Sequence, residues 1–511
     1  MVDPRTPILV GCGQVVQKEK DLDKVKDPAS LMADAAKLAL ADTTIAELTG
    51  KLDTITCTRF VIDSPGSREL PINQYANLPQ TLANKLGATP ANTCYGPTGG
   101  NTPQLLVNYT AEKIAEGDQD IVLLAGVECF GSMQKLLMAG KTPENWNDDP
   151  GGTRIDIGYE KAGVTEVENL HKLQHPVNCY PLFENALRGQ AGRSVKDHQL
   201  FIGELMAPFT KVAAAHPQAW FPVERSPEEI ATPSDANRYV GYPYTKYMNA
   251  IMAVDQAAAV VMMSVEKARE LGVPENKWVY LHGSGDANDH WFLTERQNFH
   301  SSPAIRTMGQ KAFAQAGWSI DEIDIMDLYS CFPSAVQIGM KELGIKVGDP
   351  RSLTVTGGLP YFGGAGNNYV MHSIATMVEK LRDNPGKKGM CTSNGYYVTK
   401  HGVGLYSTTP TEGPWKRENP ANYQAELDAM DHPRVEEKPN GAAKIETFTV
   451  MHGRNGPEFG IVMGRLDTDD ARFVSHVTAD VDIQSLLNQE SLGRPGTVEN
   501  TDTGLNVFTL S

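Results

Sequence analysis

Ala111–Met133 reads AEKIAEGDQDIVLLAGVECFGSM. The stretch divides at Gly117. The residues before it, from Gly100 onward, carry apolar side chains at helical spacing, and a glycine at the end of such a run supplies the left-handed cap that stops a helix. After the acidic pair Asp118 and Asp120, the run IVLLAGVECF is apolar almost without interruption. A short run of that kind, rich in branched residues and bounded by a turn, reads as a strand buried on both faces. Helix, glycine stop and buried strand together make half of an α/β unit.

The same rhythm continues on both sides. Upstream, PILVGCGQVV and LDTITCTRFV read as strands, DPASLMADAAKLALADT as a helix opened by an aspartate cap, PQTLANKLG as a short helix and ANTCYG as a strand. This alternation predicts an α/β fold with a mostly parallel central sheet. From about 131 to 245 it gives way to loops and two helices, read as an inserted helical subdomain. It returns at MAVDQAAAVVMMSVEKARELG and runs to about 410. The element order after about 250 mirrors the order before 130, so two similar halves are expected. Beyond Pro410 the chain is partly linker-like, then shows hairpin patterning with turns at GRNG and DTDD. The expected domains are 1–250, 251–410 and an appended small β-barrel-like domain over 411–511.

The 511 residues carry a net charge of −16 and are 41% hydrophobic and 21% charged. That suits a soluble globular enzyme and argues against a nucleic-acid partner. No apolar stretch reaches the ~20 residues of a membrane span, and neither a signal peptide nor a peroxisomal tail is read at the termini. Seven scattered cysteines form no metal-ligand spacing. They read as free thiols in a reducing cytoplasm, and no metal is expected.

Three further segments, with Ala111–Met133, carry a resemblance: Met252–Gly272, Ile323–Gln337 (IDIMDLYSCFPSAVQ) and Gly357–Tyr369 (GGLPYFGGAGNNY); a further one, Asn394–Ser407 (NGYYVTKHGVGLYS), departs from it. In this order the set resembles the thiolase superfamily over roughly residues 5–410. The appended domain resembles that of type-1 thiolase-like proteins. The resemblance implies a duplicated thiolase fold, layered αβαβα, with a helical loop domain inserted in the first half. It implies a CoA thioester (acyl-CoA) as substrate, bound non-covalently, and an acetyl-CoA acetyltransferase-like acyltransferase in lipid metabolism. Ordinary thiolases associate through the first half's sheet. A homodimer and, given the extra domain, a monomer both stay open.

Family chemistry needs a nucleophilic cysteine, a second cysteine as acid/base, an activating histidine and oxyanion donors. Carried over residue by residue, the nucleophile position falls on Gly100, with Cys94 six residues upstream as a displaced nucleophile or a structural thiol. Gly99 and Gly100 form either a tight turn or a pair of backbone donors. Tyr329–Phe332 resembles His-Asp-Cys-Phe, which implies Cys331 as acid/base and Tyr329 as a donor. Gly364 stands where the activating histidine belongs, with His372, Asn367 and Asn368 nearby in sequence. The second cysteine position falls on Asn394 or Val398. That loop also holds Tyr396, Tyr397, Lys400 and His401, and His401 is read as a general base or oxyanion donor. The expected catalytic set is thus Cys331, Tyr329, His401, Tyr397 and Cys94, with Gly99, Gly100, Gly364 and Asn394 lining the ligand.

Three readings follow. One is an acyltransferase that keeps a cysteine. The second is a lyase of the retro-aldol type, whose appended domain is a fused version of a partner barrel. The third is a non-catalytic protein that binds acyl-CoA or a partner.

Overall fold

A computed structural model describes residues 2–65, 72–143 and 145–511. The first half runs β1 (Pro7–Val16), α1 (Pro28–Asp42), β2 (Thr54–Cys57), α2 (Leu78–Leu86), β3 (Asn92–Tyr95), α3 (Thr102–Glu116) and β4 (Ile121–Cys129). Gly117 caps α3 at φ +88°, and all nine residues of β4 are buried. The loop domain follows, with α4 (Phe130–Met138), β5 (Arg154–Asp156), α5 (Glu166–Leu170), α6 (Pro176–Gln190), α7 (Val195–Ala215), α8 (Pro227–Ala231), β6 (Tyr239–Gly241) and β7 (Tyr244–Thr245).

The α/β rhythm resumes with β8 (Asp255–Ser264), α9 (Val265–Leu271), β9 (Val279–Asn288), α10 (Pro303–Ala316), β10 (Ile325–Asp327), α11 (Pro333–Leu343), α12 (Tyr369–Asp383), β11 (Lys388–Gly395) and β12 (Lys400–Ser407). One half-sheet has the order β1-β8-β4-β2-β3 and the other β9-β12-β11-β10, so β9, β10, β11 and β12 repeat the places of β1, β2, β4 and β8. Two residue pairs, Ile8–Tyr280 and Leu9–Val279, join the halves. Helices α3 and α12 each pack on strands of both halves and form the middle layer, with α1 outside the first half-sheet and α10 outside the second. This is the αβαβα layering.

The sheet is mixed, which corrects the expectation of a mostly parallel one. Of its nine neighbour pairs, four are parallel (β10–β11, β2–β4, β2–β3, β3–β5). β11 and β12 are joined by a four-residue turn, which obliges them to run antiparallel. β8 re-enters the sheet antiparallel to both β1 and β4. The outer edge of β3 is covered by β5 of the same chain.

The C-terminal part adds α13 (Pro420–Asp428), β13 (Gly441–Gly453), β14 (Gly456–Leu466), β15 (Arg472–Val477), α14 (Asp480–Asn488), β16 (Pro495–Asn500) and β17 (Asn506–Leu510). β13-β14-β15-β17-β16 closes back on β13 as a five-stranded barrel. The turns fall at GRNG and DTDD, as the sequence patterning places them. The stretch read as partly linker is anchored instead: Trp415, Tyr423 and Leu427 are buried. The barrel docks on α6, where Arg188 makes a bidentate ion pair with Glu490 at 2.6 and 2.7 Å and Thr447 donates to the Leu182 carbonyl at 2.6 Å.

Candidate active site

Three of the singled-out segments meet the turn that opens α3 at one place. The turn that opens α3 meets the turn before α12, where the Gly99 N–H donates to Asn367 Oδ1 at 2.9 Å. Asn367 in turn donates to the Arg59 carbonyl at 2.8 Å. Tyr329, from the turn between β10 and α11, is tied to β11 by its N–H, which donates to Thr392 Oγ1 at 2.8 Å. Its ring packs edge-on against Tyr369 at 5.8 Å. The β11–β12 hairpin closes the ring of segments, with Lys400 Nζ donating to the Thr98 carbonyl at 2.5 Å.

At the centre the expected reacting positions are filled by protein. A Cβ on Gly100 would stand 2.3 Å from the Tyr329 hydroxyl and 2.6 Å from the Asn394 carbonyl. No side chain fits there, so the phenol of Tyr329 takes the space that the resemblance assigns to a nucleophile. Gly364 is tight but less so: its Cβ would stand 3.1 Å from the Ile251 carbonyl, to which its own N–H donates at 2.9 Å. Gly99, at φ +144°, has its N–H committed to Asn367 rather than open to a ligand.

Neither cysteine is poised as a thiolate. Cys94 lies within β3 between Thr56 of β2 and Ile155 of β5, in the apolar core, and burial pushes its thiol up. Cys331 is buried with its sulfur 4.0 Å from Asn394 Nδ2. Burial pushes its pKa up to about 12, against smaller opposing hydrogen bonds from Tyr180 and the backbone. A thiol so placed stays protonated at neutral pH.

Consecutive residues of a strand face opposite sides of the sheet, and the two basic residues that open β12 are separated in this way. His401 turns toward α10. Its Nε2–H donates to Asp289 Oδ2 at 3.2 Å, and its Nδ1 is buried without a partner. Burial raises the Asp289 carboxyl, but Arg296, His401 and Ser302 outweigh it and hold the group below the usual range. In the neutral ring the carboxylate fixes the tautomer and leaves Nδ1 as an acceptor. With Tyr329 and Asn394, whose Oδ1 is also unpartnered, His401 borders an internal cavity of about 20 Å³. That is room for one water.

Lys400 turns toward α3. It is only 5% exposed, and burial lowers its pKa to about 8, against a smaller opposing pull from Glu160. It lines an open cleft of about 360 Å³ together with Asn101, His401, Tyr159 and Trp291. Asn101 Oδ1 is buried there without a partner.

The expected Tyr397 and the nearby His372 stand apart. The Tyr397 hydroxyl is spent on the Gln174 carbonyl at 2.8 Å, which makes it part of the seam with the loop domain. His372 is a core residue of α12: Nδ1 meets Gln14 Oε1 at 2.9 Å, and burial lowers its pKa to about 3. Conversely, Asp289 and Tyr180 were not singled out from sequence. Tyr180 donates to the Tyr396 carbonyl at 2.8 Å and accepts from Asn394 Nδ2 at 2.9 Å. Both reach the hairpin from more than a hundred residues away and carry no local signal. Lys400 lay in a flagged loop, but only its burial distinguishes it.

Two family descriptions match the chain: "Thiolase C-terminal domain-like" over residues 285–406 and "Thiolase-like protein type 1 additional C-terminal domain" over residues 422–503. The crystal structure of a monomeric SCP2-thiolase like protein type 1 from Mycobacterium smegmatis is 36% identical, with a TM-score of 0.85 and full coverage of both chains. The chain belongs to the type-1 thiolase-like proteins. More distant relatives of this thiolase-like chain include an acetyl-CoA acetyltransferase of Schizosaccharomyces pombe, 21% identical over 61% of the chain and 82% of the relative. Other curated acetyl-CoA acetyltransferases match over only about a quarter to a third of their own length, for example 24%, 31% and 34%. The structure titled "Ltp2-ChsH2(DUF35) aldolase" shares the fold at 18% identity and a TM-score of 0.58, covering 79% of this chain and 98% of that one. Among the described residues no helix is long and apolar enough to cross a membrane, and no cluster of metal-ligating side chains occurs.

Proposed function

We propose that this thiolase-like protein binds a CoA thioester and acts on it by acid–base chemistry, without an acyl-cysteine intermediate. One observation carries the reading: the nucleophile position is Gly100, and the Tyr329 hydroxyl occupies the space in front of it. The reaction class is carbon–carbon cleavage of a 3-hydroxyacyl-CoA. His401 Nδ1, oriented through Asp289, takes the proton of the 3-hydroxyl. The C2–C3 bond breaks, its electron pair stays on C2 as a thioester enolate, and C3 leaves as an aldehyde. Tyr329 returns a proton to the enolate, giving the shortened acyl-CoA. Asn394 Oδ1, buried without a partner, is an acceptor beside it.

The test is a panel of 3-hydroxyacyl-CoA substrates with chromatography of the CoA products and trapping of the aldehyde. Tyr329→Phe and His401→Asn should each lower turnover about 100-fold or more. Undiminished turnover in both variants would remove these residues from the mechanism. A second reading, binding without turnover, is favoured by the inner cavity of about 20 Å³, too small for an acyl group as it stands. Calorimetry that finds CoA-ester binding with no product from any substrate would select it. Free thiols at all seven cysteines support a reducing compartment, the cytoplasm. The cover that β5 places over the β3 edge supports a monomer.

A further inference from the structure

The cleft beside the inner cavity holds a buried amine that the proposed chemistry does not use. Lys400 Nζ has no carboxylate within ion-pair distance among the described residues. The nearest candidate, Glu160, is committed elsewhere: it pairs with Arg59 Nε at 3.0 Å and accepts from the Thr98 N–H at 2.8 Å and the Thr98 hydroxyl at 3.2 Å. Among the described residues the one hydrogen bond of Nζ goes to the Thr98 carbonyl at 2.5 Å, and a carbonyl cannot protonate it. Two aromatic faces stand over the group, Tyr396 at 5.2 Å and Trp291 at 5.8 Å. Asn101, whose Oδ1 is buried and unpartnered, lines the same cleft. Gly99 leaves room for the amine, since a Cβ there would stand 3.2 Å from Nζ.

We propose that Lys400 is an acyl acceptor, taking the acyl group of a thioester bound in this cleft to form an amide. Nζ attacks the thioester carbonyl carbon and the C–N bond forms. The C–S bond breaks and its electron pair leaves with sulfur. The proton lost from nitrogen ends on the thiol, so the products are acyl-Lys400 and free CoA. The amide has no charge, and a thioester does not reform from it, so the step is a single self-acylation. The depressed pKa of about 8 agrees with this role, because a large share of the amine is neutral near pH 7.5. The inference rests on the reading that a thioester enters the cleft.

The experiment treats the full-length protein with acetyl-CoA and, separately, with the acetyl thioester of N-acetylcysteamine, which lacks the nucleotide. Intact mass, hydroxylamine treatment and peptide mapping follow. Lys400 should carry a hydroxylamine-stable acetyl group and react at least ~10-fold faster than the other lysines. Its rate should be half-maximal near pH 8, rather than near the ~10.4 of an exposed lysine. The preference should vanish in urea and in Lys400→Gln. Labelling by the small thioester but not by acetyl-CoA upholds the acyl acceptor and removes the CoA reading. An unmodified Lys400, or acetylation spread evenly over the lysines in folded and unfolded protein alike, overturns the proposal.

Discussion

Gly100 and Tyr329 make one packed unit, and the pair can be tested without any substrate. Gly100→Ala drives a methyl group into the phenol on one side and into the Asn394 backbone carbonyl on the other. The carbonyl belongs to a ladder strand and cannot move aside, so the substitution should cost about 1–3 kcal/mol in urea unfolding. In a Tyr329→Phe background the cost should be smaller, because half of the collision is gone. Strict additivity would show that the two residues do not touch. His372 gives a second test. Its folded pKa of about 3 lies below the unfolded value of ~6.5. The stability it contributes is complete above pH 6.5 and is lost as the pH falls toward 3. Between pH 7 and pH 5 that loss amounts to about 2 kcal/mol. His372→Gln should flatten the wild-type slope of stability over that window by this amount, read from urea midpoints at the two pH values.

At the scale of elements, the segments that sequence reads best are those with a strong single period. The Gly117 stop and the apolar runs of β4 and β8 needed no tertiary information, because a strand buried on both faces is apolar throughout. The β11–β12 hairpin was harder. Tyr396 and Val398 both have positive φ, at 55° and 58°, where residues of their kind are rarely found. Nothing in their identity foretells it, since Tyr180 and Arg296 hold the turn from outside: Arg296 donates to the Val398 carbonyl at 2.7 Å. Alternation along β12 sends His401 to one face and Lys400 to the other, so Lys400, adjacent in sequence to the expected base, is the one at the mouth of α3. Tyr180→Phe should loosen this turn. It leaves the Tyr396 carbonyl without a partner and Asn394 Nδ2 with only the Cys331 sulfur at 4.0 Å, at about 1–3 kcal/mol. Hydrogen exchange of residues 394–401 should quicken, and unchanged exchange would refute the external brace.

For the molecule as a whole, the barrel is a brace as well as an appendage. The buried Arg472 of β15 pairs with Glu446 at 2.6 Å and donates to the carbonyls of Thr294 at 3.1 Å, Gln297 at 3.3 Å and Arg296. Arg296 in turn donates to Asp289 at 3.5 Å. The patterning after residue 411 predicts a β domain, which begins at Gly441, but not that it touches the site, because these contacts join residues more than a hundred positions apart. Arg472→Met should destabilise the protein by about 3 kcal/mol, since Glu446 and three carbonyls lose a buried partner. Exchange should rise over 289–302 as well as in the barrel. Protection lost in the barrel alone would mean that the two parts are independent.

The central claim is that the thiolase-like frame has been kept while its cysteine chemistry has not. It is tested most directly by intact-protein mass spectrometry after incubation with acetyl-CoA and acetoacetyl-CoA, before and after hydroxylamine. The account predicts no hydroxylamine-labile acyl adduct, since Cys331 is held at a pKa of about 12 and the nucleophile position is a glycine walled in by Tyr329. A labile adduct that maps to Cys94 or Cys331 would contradict it.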